Sequence, residues 1–315
     1  MVESNKDIKN TKGAVDYCIN GKLDFDMIPP MDRESFLSKL SEYSALVFFP
    51  ITPESCSRLA TEARVLGLNM ITPPIYGAPE FQVAALLSQS CPPSEIWVWK
   101  NAHEDNEAFD ATKIEGISVV VDSSRNFKYH SRFALGLLTD SKYVAFFDDD
   151  TIPGAGWFEN CLETMDTHEG ILGGAGVILK SRTYDKPGYN CPHNRMGWPT
   201  KNDQVEEVDL VGHAWFMKRE HLNYLWREIP YTLENCEDMQ LSYMAQKYGN
   251  LKTYCPPHPK AEGRLWSSIS PLELGDDEVA SSNARGADYA YFCELRNKFV
   301  SHAIDDGWKT VLDVK

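Results

Sequence analysis

Residues 141–154 read SKYVAFFDDDTIPG, and this stretch decides the fold class. Its apolar run, Tyr143–Phe147, predicts a half-buried strand, and Asp148, Asp149 and Asp150 follow at the carboxyl end of that strand. Open α/β sheets bind their ligands at this end. Three adjacent carboxylates repel one another unless a cation lies among them, and Mg²⁺ and Mn²⁺ prefer oxygen ligands. An isolated Asp-Asp-Asp run is more often a solvated turn, so the functional interpretation depends on the rest of the chain.

A second acidic stretch, LENCEDMQLSYMAQKYG at residues 233–249, predicts a helix. Glu237 and Asp238 fall in its first turn, where the helix dipole favours anions, so charge compensation alone would explain them. Between the two stretches, helix and strand patterns alternate, and the strand LVGHAWF at residues 210–216 is rich in small residues. This alternation favours an α/β fold with an open sheet whose strands are mostly parallel.

Together, the DDDT strand end, the LVGHAWF strand and the NCED helix start resemble the GT-A fold of nucleotide-sugar glycosyltransferases, most closely the C-terminal domain of the exostosin family, over roughly residues 95–259. The resemblance implies that Asp148 lies near the donor ribose. It implies that Asp150, with help from Asp148, binds the metal that joins the two donor phosphates, with Asp149 between them. Glu237 and Asp238 would lie beneath the transferring sugar and the acceptor, as the catalytic carboxylates.

The enzyme implied by this resemblance is a hexosyl- or N-acetylhexosaminyl-transferase of polysaccharide biosynthesis. It would move a sugar from a nucleoside-diphosphate sugar, with UDP favoured, to a hydroxyl of a glycan or glycoconjugate, with Mn²⁺ or Mg²⁺ as cofactor. Exostosin-like enzymes retain the anomeric configuration, whereas many GT-A enzymes with an acidic residue at this position invert it. Both outcomes stay open at this point.

The family also carries an Asn-Arg-Phe segment before the Asp-rich strand that helps to hold the nucleotide. The matching residues here are Ser131, Arg132 and Phe133, so the asparagine is absent from that position, although Arg125 and Asn126 lie just upstream. We expect Arg132 or Arg125 near the donor pyrophosphate, with Asn126 beside it, since a guanidinium suits phosphate geometry. Ordinary surface charge explains these residues equally well.

Two further residues are candidates for the same site. His258, in the sequence CPPHP, is a candidate third metal ligand, as in some GT-A enzymes, and a structural role in the proline-rich turn is the alternative. Trp215 is a candidate platform for the acceptor sugar, and a buried core position is the alternative.

Residues 1–80 form a short α/β pattern that contains Glu54 and Glu62 in an E-x7-E arrangement. This arrangement resembles the nucleotide-sugar end of GT-B glycosyltransferases. A GT-B cleft needs a second Rossmann domain, which we do not find, so we expect a partial GT-B-like segment whose two glutamates take no part in the chemistry. The chain would then divide into residues 1–80 and a GT-A domain at 81–315, with a helical cap at 274–315.

The join between these two parts departs from the GT-A pattern. A GT-A domain begins with a strand that grips the nucleotide base, and GLNMITPPIYGAPE at residues 67–80 occupies that place here. Either these residues serve as the first strand, or that strand is missing and donor binding is weakened.

Composition excludes several other classes of protein. With 31 basic and 46 acidic residues the net charge is −15, which disfavours nucleic acid as a partner. The eight cysteines include no C-x-x-C pair and are expected to be reduced core thiols. The longest apolar run, Ala45–Ile51, is far shorter than the ~20 residues of a membrane span. We therefore expect a cytoplasmic protein, with Golgi or membrane association only through an anchor outside this sequence.

Two alternatives from other classes remain. A non-catalytic sugar- or partner-binding relic of a bifunctional glycosyltransferase would follow if the first GT-A strand is damaged. A nucleotidyltransferase also uses aspartates and Mg²⁺, but it is expected to carry a glycine-rich, lysine-containing phosphate loop, and we find no G-x-x-x-x-G-K-[ST] motif.

Overall fold

The computed structural model describes residues 11–48, 59, 63, 66–71, 78–103, 106, 109–184, 193–269 and 287–314. Its described helices are α1 (Thr11–Asn20), α2 (Arg33–Leu40), α3 (Ala78–Leu87), α4 (Ser131–Gly136), α5 (Trp157–Thr167), α6 (Leu222–Leu225), α7 (Glu237–Gly249), α8 (Ala287–Asp305) and α9 (Val311–Val314). Its described strands are β1 (Ala45–Val47), β2 (Asn69–Ile71), β3 (Trp97–Lys100), β4 (Val119–Asp122), β5 (Tyr143–Phe147), β6 (Gly170–Leu179), β7 (His193–Gly197), β8 (Glu206–Val208), β9 (Leu210–Lys218) and β10 (Lys252–Cys255).

The largest sheet is mixed. It has the strand order β5-β9-β6-β10-β8, and β7 pairs with β6. Only β6 and β10 pair in parallel, whereas the other described pairings in this sheet are antiparallel. The prediction of a mostly parallel sheet is therefore wrong for these strands. The reason is that β9 runs antiparallel between β5 and β6, which themselves point in the same direction.

The strand β9 fits between its neighbours because small residues allow close approach. The side chain of Val211 on β9 occupies the space that a Cβ at Gly173 on β6 would need. The two strands lie at the centre of the core, with Leu172, Val211 and Met217 fully buried. This close pairing sets the register that brings the functional side chains together.

The N-terminal part of the chain forms a unit with its own sheet. β1 pairs in parallel with β2, and Ala45 lies opposite Asn69. Its apolar cluster includes Ile28, Leu40 and Leu46. Residues 69–71 thus complete this small sheet, and in the described part of the chain they do not begin the larger one. Glu54 and Glu62, and most of the helix expected around them, lie outside the described residues.

The carboxyl end of the chain is part of the core. Phe299 and Val300 on α8 pack with Met239 and Tyr243 on α7 and with Leu179 on β6. The helices expected in the 274–315 region therefore contact the first turns of the acidic helix α7. This packing brings Arg296 on α8 to Asp238 on α7. No helix in the described ranges combines the length and the apolarity that crossing a membrane requires.

Candidate functional site

Two aspartates and a histidine converge at the carboxyl end of β5. Phe147 pairs with Ala214 on β9, and the Asp148 amide donates to the His213 carbonyl at 3.1 Å. This register places Nδ1 of His213 3.9 Å from Asp148 Oδ2 and 3.8 Å from Asp150 Oδ1. Potential ligand atoms of Asp148, Asp150 and His213 all lie within 4.8 Å of one another. These three residues form the candidate metal cluster.

His213 is held in an unusual conformation. Its φ is +71°, which a residue with a Cβ rarely adopts, and its ring stacks on Trp198 with 4.3 Å between centroids. Burial lowers the pKa of His213, against the opposing effect of Asp148 and Asp149, and a lower pKa favours the neutral imidazole that binds metals. Its buried Nε2 has no hydrogen-bond partner within the described residues. The two carboxylates supply the oxygen ligands that Mn²⁺ and Mg²⁺ prefer, and the neutral imidazole adds a nitrogen ligand that a transition-metal ion such as Mn²⁺ accepts more readily than Mg²⁺ does.

Asp149 lies between the two candidate ligands in the chain and is exposed, although the packed strand end limits the water around its carboxyl group. Removal from water at the packed strand end, together with the charges of Asp150 and Asp148, raises the pKa of Asp149 to about 6. The three adjacent carboxylates therefore disfavour full ionisation of the site in the absence of a cation.

Arg132 connects the aspartates to the second acidic stretch. Helix α4 brings it to the strand end because Phe133 is fully buried against Phe146 and Trp215. Its guanidinium forms an ion pair with Asp148, and Nη2 lies 3.7 Å from Oε1 of Glu237. The Arg132 guanidinium thus lies between the carboxylates of Asp148 and Glu237, which are 89 positions apart in the sequence.

Glu237 begins α7 and lies beside Arg132, which pairs with Asp148. It is 7% exposed, and its Oε2 has no hydrogen-bond partner in the described part of the chain. Burial and the neighbouring Asp238 raise the pKa of Glu237 to about 7, although Arg132 and Arg296 act in the opposite direction. A carboxyl group with a pKa near neutrality can accept a proton from a substrate hydroxyl.

Asp238 is engaged in a buried ion pair. Its Oδ1 accepts hydrogen bonds from the Met239 amide at 2.8 Å and from Arg296 Nη1 at 3.1 Å, and its Oδ2 accepts from Arg296 Nη2 at 2.6 Å. Both oxygens are therefore occupied by α7 and α8. Of the two carboxylates expected beneath the sugar, Asp238 has both oxygens paired, whereas Glu237 Oε2 has no hydrogen-bond partner within the described residues.

The structure places two expected site residues elsewhere. His258 is fully buried; its Nδ1 contacts the Pro256 carbonyl at 2.8 Å, and its Nε2 accepts from the Ser267 amide at 3.1 Å. Trp215 is 2% exposed and donates through Nε1 to the Val211 carbonyl at 2.8 Å. Both ring nitrogens of His258 are occupied and the face of Trp215 is inaccessible to a sugar, so we correct both assignments to structural roles.

Arg125 and Asn126 lie in an exposed turn before α4. The Arg125 guanidinium lies over the Phe127 ring at 5.6 Å, and Asn126 Oδ1 accepts from the Lys128 amide at 2.9 Å. Of the two arginines expected near the pyrophosphate, Arg132 is therefore the one that the structure brings to the aspartates.

Two residues of the site were missed by sequence reasoning. His213 becomes a candidate ligand through the antiparallel register of β9 with β5, which the sequence does not reveal. Arg296 was detectable, because it interrupts the apolar helical face formed by Phe292, Phe299 and Val300. A charged residue on a core-facing stripe is rare unless it is paired.

Comparison with protein families bears on the fold and the class of activity. Residues 82–226 match the model of the family described as glycosyl transferase family 2. This match supports a GT-A glycosyltransferase, and the mixed α/β structure is consistent with that fold. The matched region contains the three aspartates and His213 and ends before Glu237. Comparison with curated proteins finds no match to the chain.

Proposed function

We propose that this chain is a metal-dependent GT-A glycosyltransferase that moves a sugar from a nucleoside-diphosphate sugar to an acceptor hydroxyl. The observation that carries the proposal is the convergence of Asp148, Asp150 and His213 with Arg132 and Glu237 at the end of β5. Transfer from such a donor requires stabilisation of a departing diphosphate and a group that accepts the acceptor proton. The cluster offers groups for both tasks.

Asp148, Asp150 and His213 would hold the divalent cation. When bound, Mn²⁺ or Mg²⁺ supplies Lewis-acid stabilisation of the diphosphate leaving group. The protein's own contribution is to fix the ligands: the β5–β9 register sets the positions of the aspartates and His213, and stacking on Trp198 fixes the imidazole plane.

Arg132 would act on the donor and Glu237 on the acceptor. Arg132 already binds the carboxylate of Asp148, and its planar guanidinium suits phosphate oxygens, so we assign it to the donor diphosphate. Glu237 presents a buried carboxyl oxygen without a hydrogen-bond partner in the described structure, so we assign it to deprotonation of the acceptor hydroxyl. The acceptor oxygen then bonds to the anomeric carbon as the bond to the diphosphate breaks.

The finer identity of the substrates is proposed from the resemblance to the exostosin C-terminal domain. We expect a UDP-hexose or UDP-N-acetylhexosamine as donor and a glycan or glycoconjugate as acceptor. We also propose the division into residues 1–80 and 81–315, with the former a partial GT-B-like segment that takes no part in the chemistry.

One observation favours the alternative of a sugar-binding relic. β2 pairs with β1, so in the described residues the segment 69–71 does not supply the first strand that a GT-A domain uses to grip the base. A relic would bind a nucleotide sugar without cleaving it.

Thermal unfolding tests metal-dependent donor binding. UDP should raise the melting temperature of the parent in Mn²⁺ and not in EDTA, since only ligands bound to the native state stabilise it. Asp150→Asn should abolish this shift while leaving the melting temperature without ligand close to that of the parent. Equal shifts in Mn²⁺ and EDTA would contradict the proposal.

A further inference from the structure

We propose that Arg296, on the C-terminal helix α8, is a positioning residue that holds Asp238 against α8 and thereby presents Glu237 to the sugar-transfer site. The inference rests on the proposed function and assigns a task to a helix outside the matched residues 82–226. It explains why, of two adjacent carboxylates, Glu237 lies beside Arg132 and Asp238 pairs with α8.

The ion pair between Arg296 and Asp238 is bidentate and buried. Arg296 Nη2 donates to Asp238 Oδ2 at 2.6 Å, and Nη1 donates to Asp238 Oδ1 at 3.1 Å. The two residues are 4% and 8% exposed. A paired guanidinium and carboxylate fix orientation as well as distance, because both planar groups must align.

The same guanidinium also binds Asn235, two residues before α7 begins. Arg296 Nη1 donates to Asn235 Oδ1 at 2.9 Å, so Arg296 binds side chains on both sides of Cys236 and Glu237. Cys236 has a φ of 67°, a left-handed conformation that costs about 1–3 kcal/mol in a residue with a Cβ. Such a conformation persists only where surrounding contacts hold it, and here Arg296 supplies contacts on each side.

This arrangement decides which way Glu237 points. Successive residues of an α-helix are rotated by about 100° about its axis. Once Asp238 faces α8, Glu237 is directed towards α4, where its Oε1 lies 3.7 Å from Arg132 Nη2. Loss of the Arg296 contacts would free the first turn of α7 and displace the Glu237 carboxyl group.

Arg296 itself is fixed by its surroundings. Its guanidinium lies over the ring of Tyr184 at 4.2 Å and over that of Phe292 at 5.3 Å. A charge buried in this way is destabilising if its partner is removed, so Arg296 and Asp238 must be tested as a pair.

The charged groups around Glu237 make the proposal measurable. Asp238 lies on its own helix, Arg132 faces it from α4 and Arg296 faces it from α8; His130 lies close enough to Asp238 to interact electrostatically. Asp238 raises the pKa of Glu237, and Arg296 lowers it. Removing Arg296 should therefore move the acid limb of the pH–rate profile to higher pH, and removing Asp238 should move it to lower pH.

The experiment compares Arg296→Lys, Arg296→Met, Asp238→Asn and the double variant Asp238→Asn/Arg296→Met in the full chain. Mn²⁺-dependent hydrolysis of UDP-glucose and UDP-N-acetylglucosamine is followed across pH, with melting temperatures. Arg296→Met should lower kcat by about tenfold or more with KM for the donor within about threefold, because a displaced Glu237 would weaken an interaction made in the transition state and leave donor binding intact. Arg296→Lys should recover part of kcat.

The matched control is Arg182→Met. It removes an exposed ion pair to Asp305, which lies on α8 like Arg296, and should leave kcat and the pH profile unchanged.

Different outcomes separate this inference from the proposed function. An active parent whose kcat and pH profile are unaffected by Arg296→Met and by Asp238→Asn overturns the positioning role alone. If Arg296→Met does not fold, Asp238→Asn decides: a kcat within about threefold of the parent, with an unmoved acid limb, overturns the role. A parent without metal-dependent hydrolysis overturns the proposed function and this inference with it.

Discussion

Replacement of Glu237 by glutamine removes a carboxyl group while keeping its shape. If Glu237 accepts the acceptor proton, Glu237→Gln should lower kcat by about 10²-fold or more, the usual size of a lost general base, with donor KM little changed. The side chain is 7% exposed, and within the described residues its ion pair is with Arg132 at 3.7 Å, so the amide should fit without a new clash.

The same substitution has a predictable effect on stability that depends on pH. The pKa of Glu237 is raised from 4.5 to about 7, chiefly by burial and by Asp238. A carboxyl group whose folded-state pKa is raised contributes stability below its unfolded-state pKa and loses it as pH rises through the folded-state pKa. A shift of this size corresponds to about 3 kcal/mol. The parent should therefore lose about that much stability between pH 4.5 and pH 7 relative to Glu237→Gln.

Urea unfolding of parent and variant at pH 5 and pH 8 measures this difference. The free energy of unfolding of Glu237→Gln, relative to that of the parent, should be higher at pH 8 than at pH 5. Glu234→Gln is the matched control, because Glu234 lies three positions earlier, is exposed, and pairs with Lys128 at 3.5 Å. A Glu237→Gln variant with turnover within about threefold of the parent, and with a stability difference that does not change with pH, would refute the reasoning.

Three further predictions concern the metal, the histidines and the N-terminal segment. His213→Ala should weaken Mn²⁺ binding, measured by calorimetry, by about tenfold or more, whereas His168→Ala, at a half-buried histidine that packs on Tyr254, should not change it. His258→Gln should lower the melting temperature, because it disturbs buried contacts with Pro256 and Ser267, and leave Mn²⁺ affinity unchanged; a loss of affinity in the folded variant would restore His258 as a ligand. The double variant Glu54→Gln/Glu62→Gln should keep transferase activity within a few-fold of the parent, and a large loss with folding intact would revive the GT-B interpretation.

The elements with strong local patterns were predictable from the sequence. The strand Tyr143–Phe147 has the expected bounds, and the helix predicted around Glu237 runs to Gly249. Both have an apolar pattern of the right period next to a clear polar boundary. The placement of the three aspartates at a strand end followed from the same local signal.

The relations between distant elements were not predictable. β9 is largely buried along its length, so its sequence does not show the alternation that would reveal which side chains face a site. The sequence therefore leaves Trp215 open between a sugar platform and a core position, and it does not single out His213. The choice between Glu237 and Asp238 depends on Arg296, whose contact with α7 arises only when the C-terminal helix packs against it.

Metal-dependent cleavage of a nucleotide sugar tests the central claim most directly. UDP release from UDP-glucose and UDP-N-acetylglucosamine should be measured for the parent and for Asp150→Asn, in Mn²⁺ and in EDTA. The account predicts release from at least one donor by the parent in Mn²⁺, none above background in EDTA, and none from Asp150→Asn under either condition. Equal release by the parent and by a folded Asp150→Asn variant, or release that persists in EDTA, would contradict the assignment of the β5 strand end as a metal-dependent transfer site.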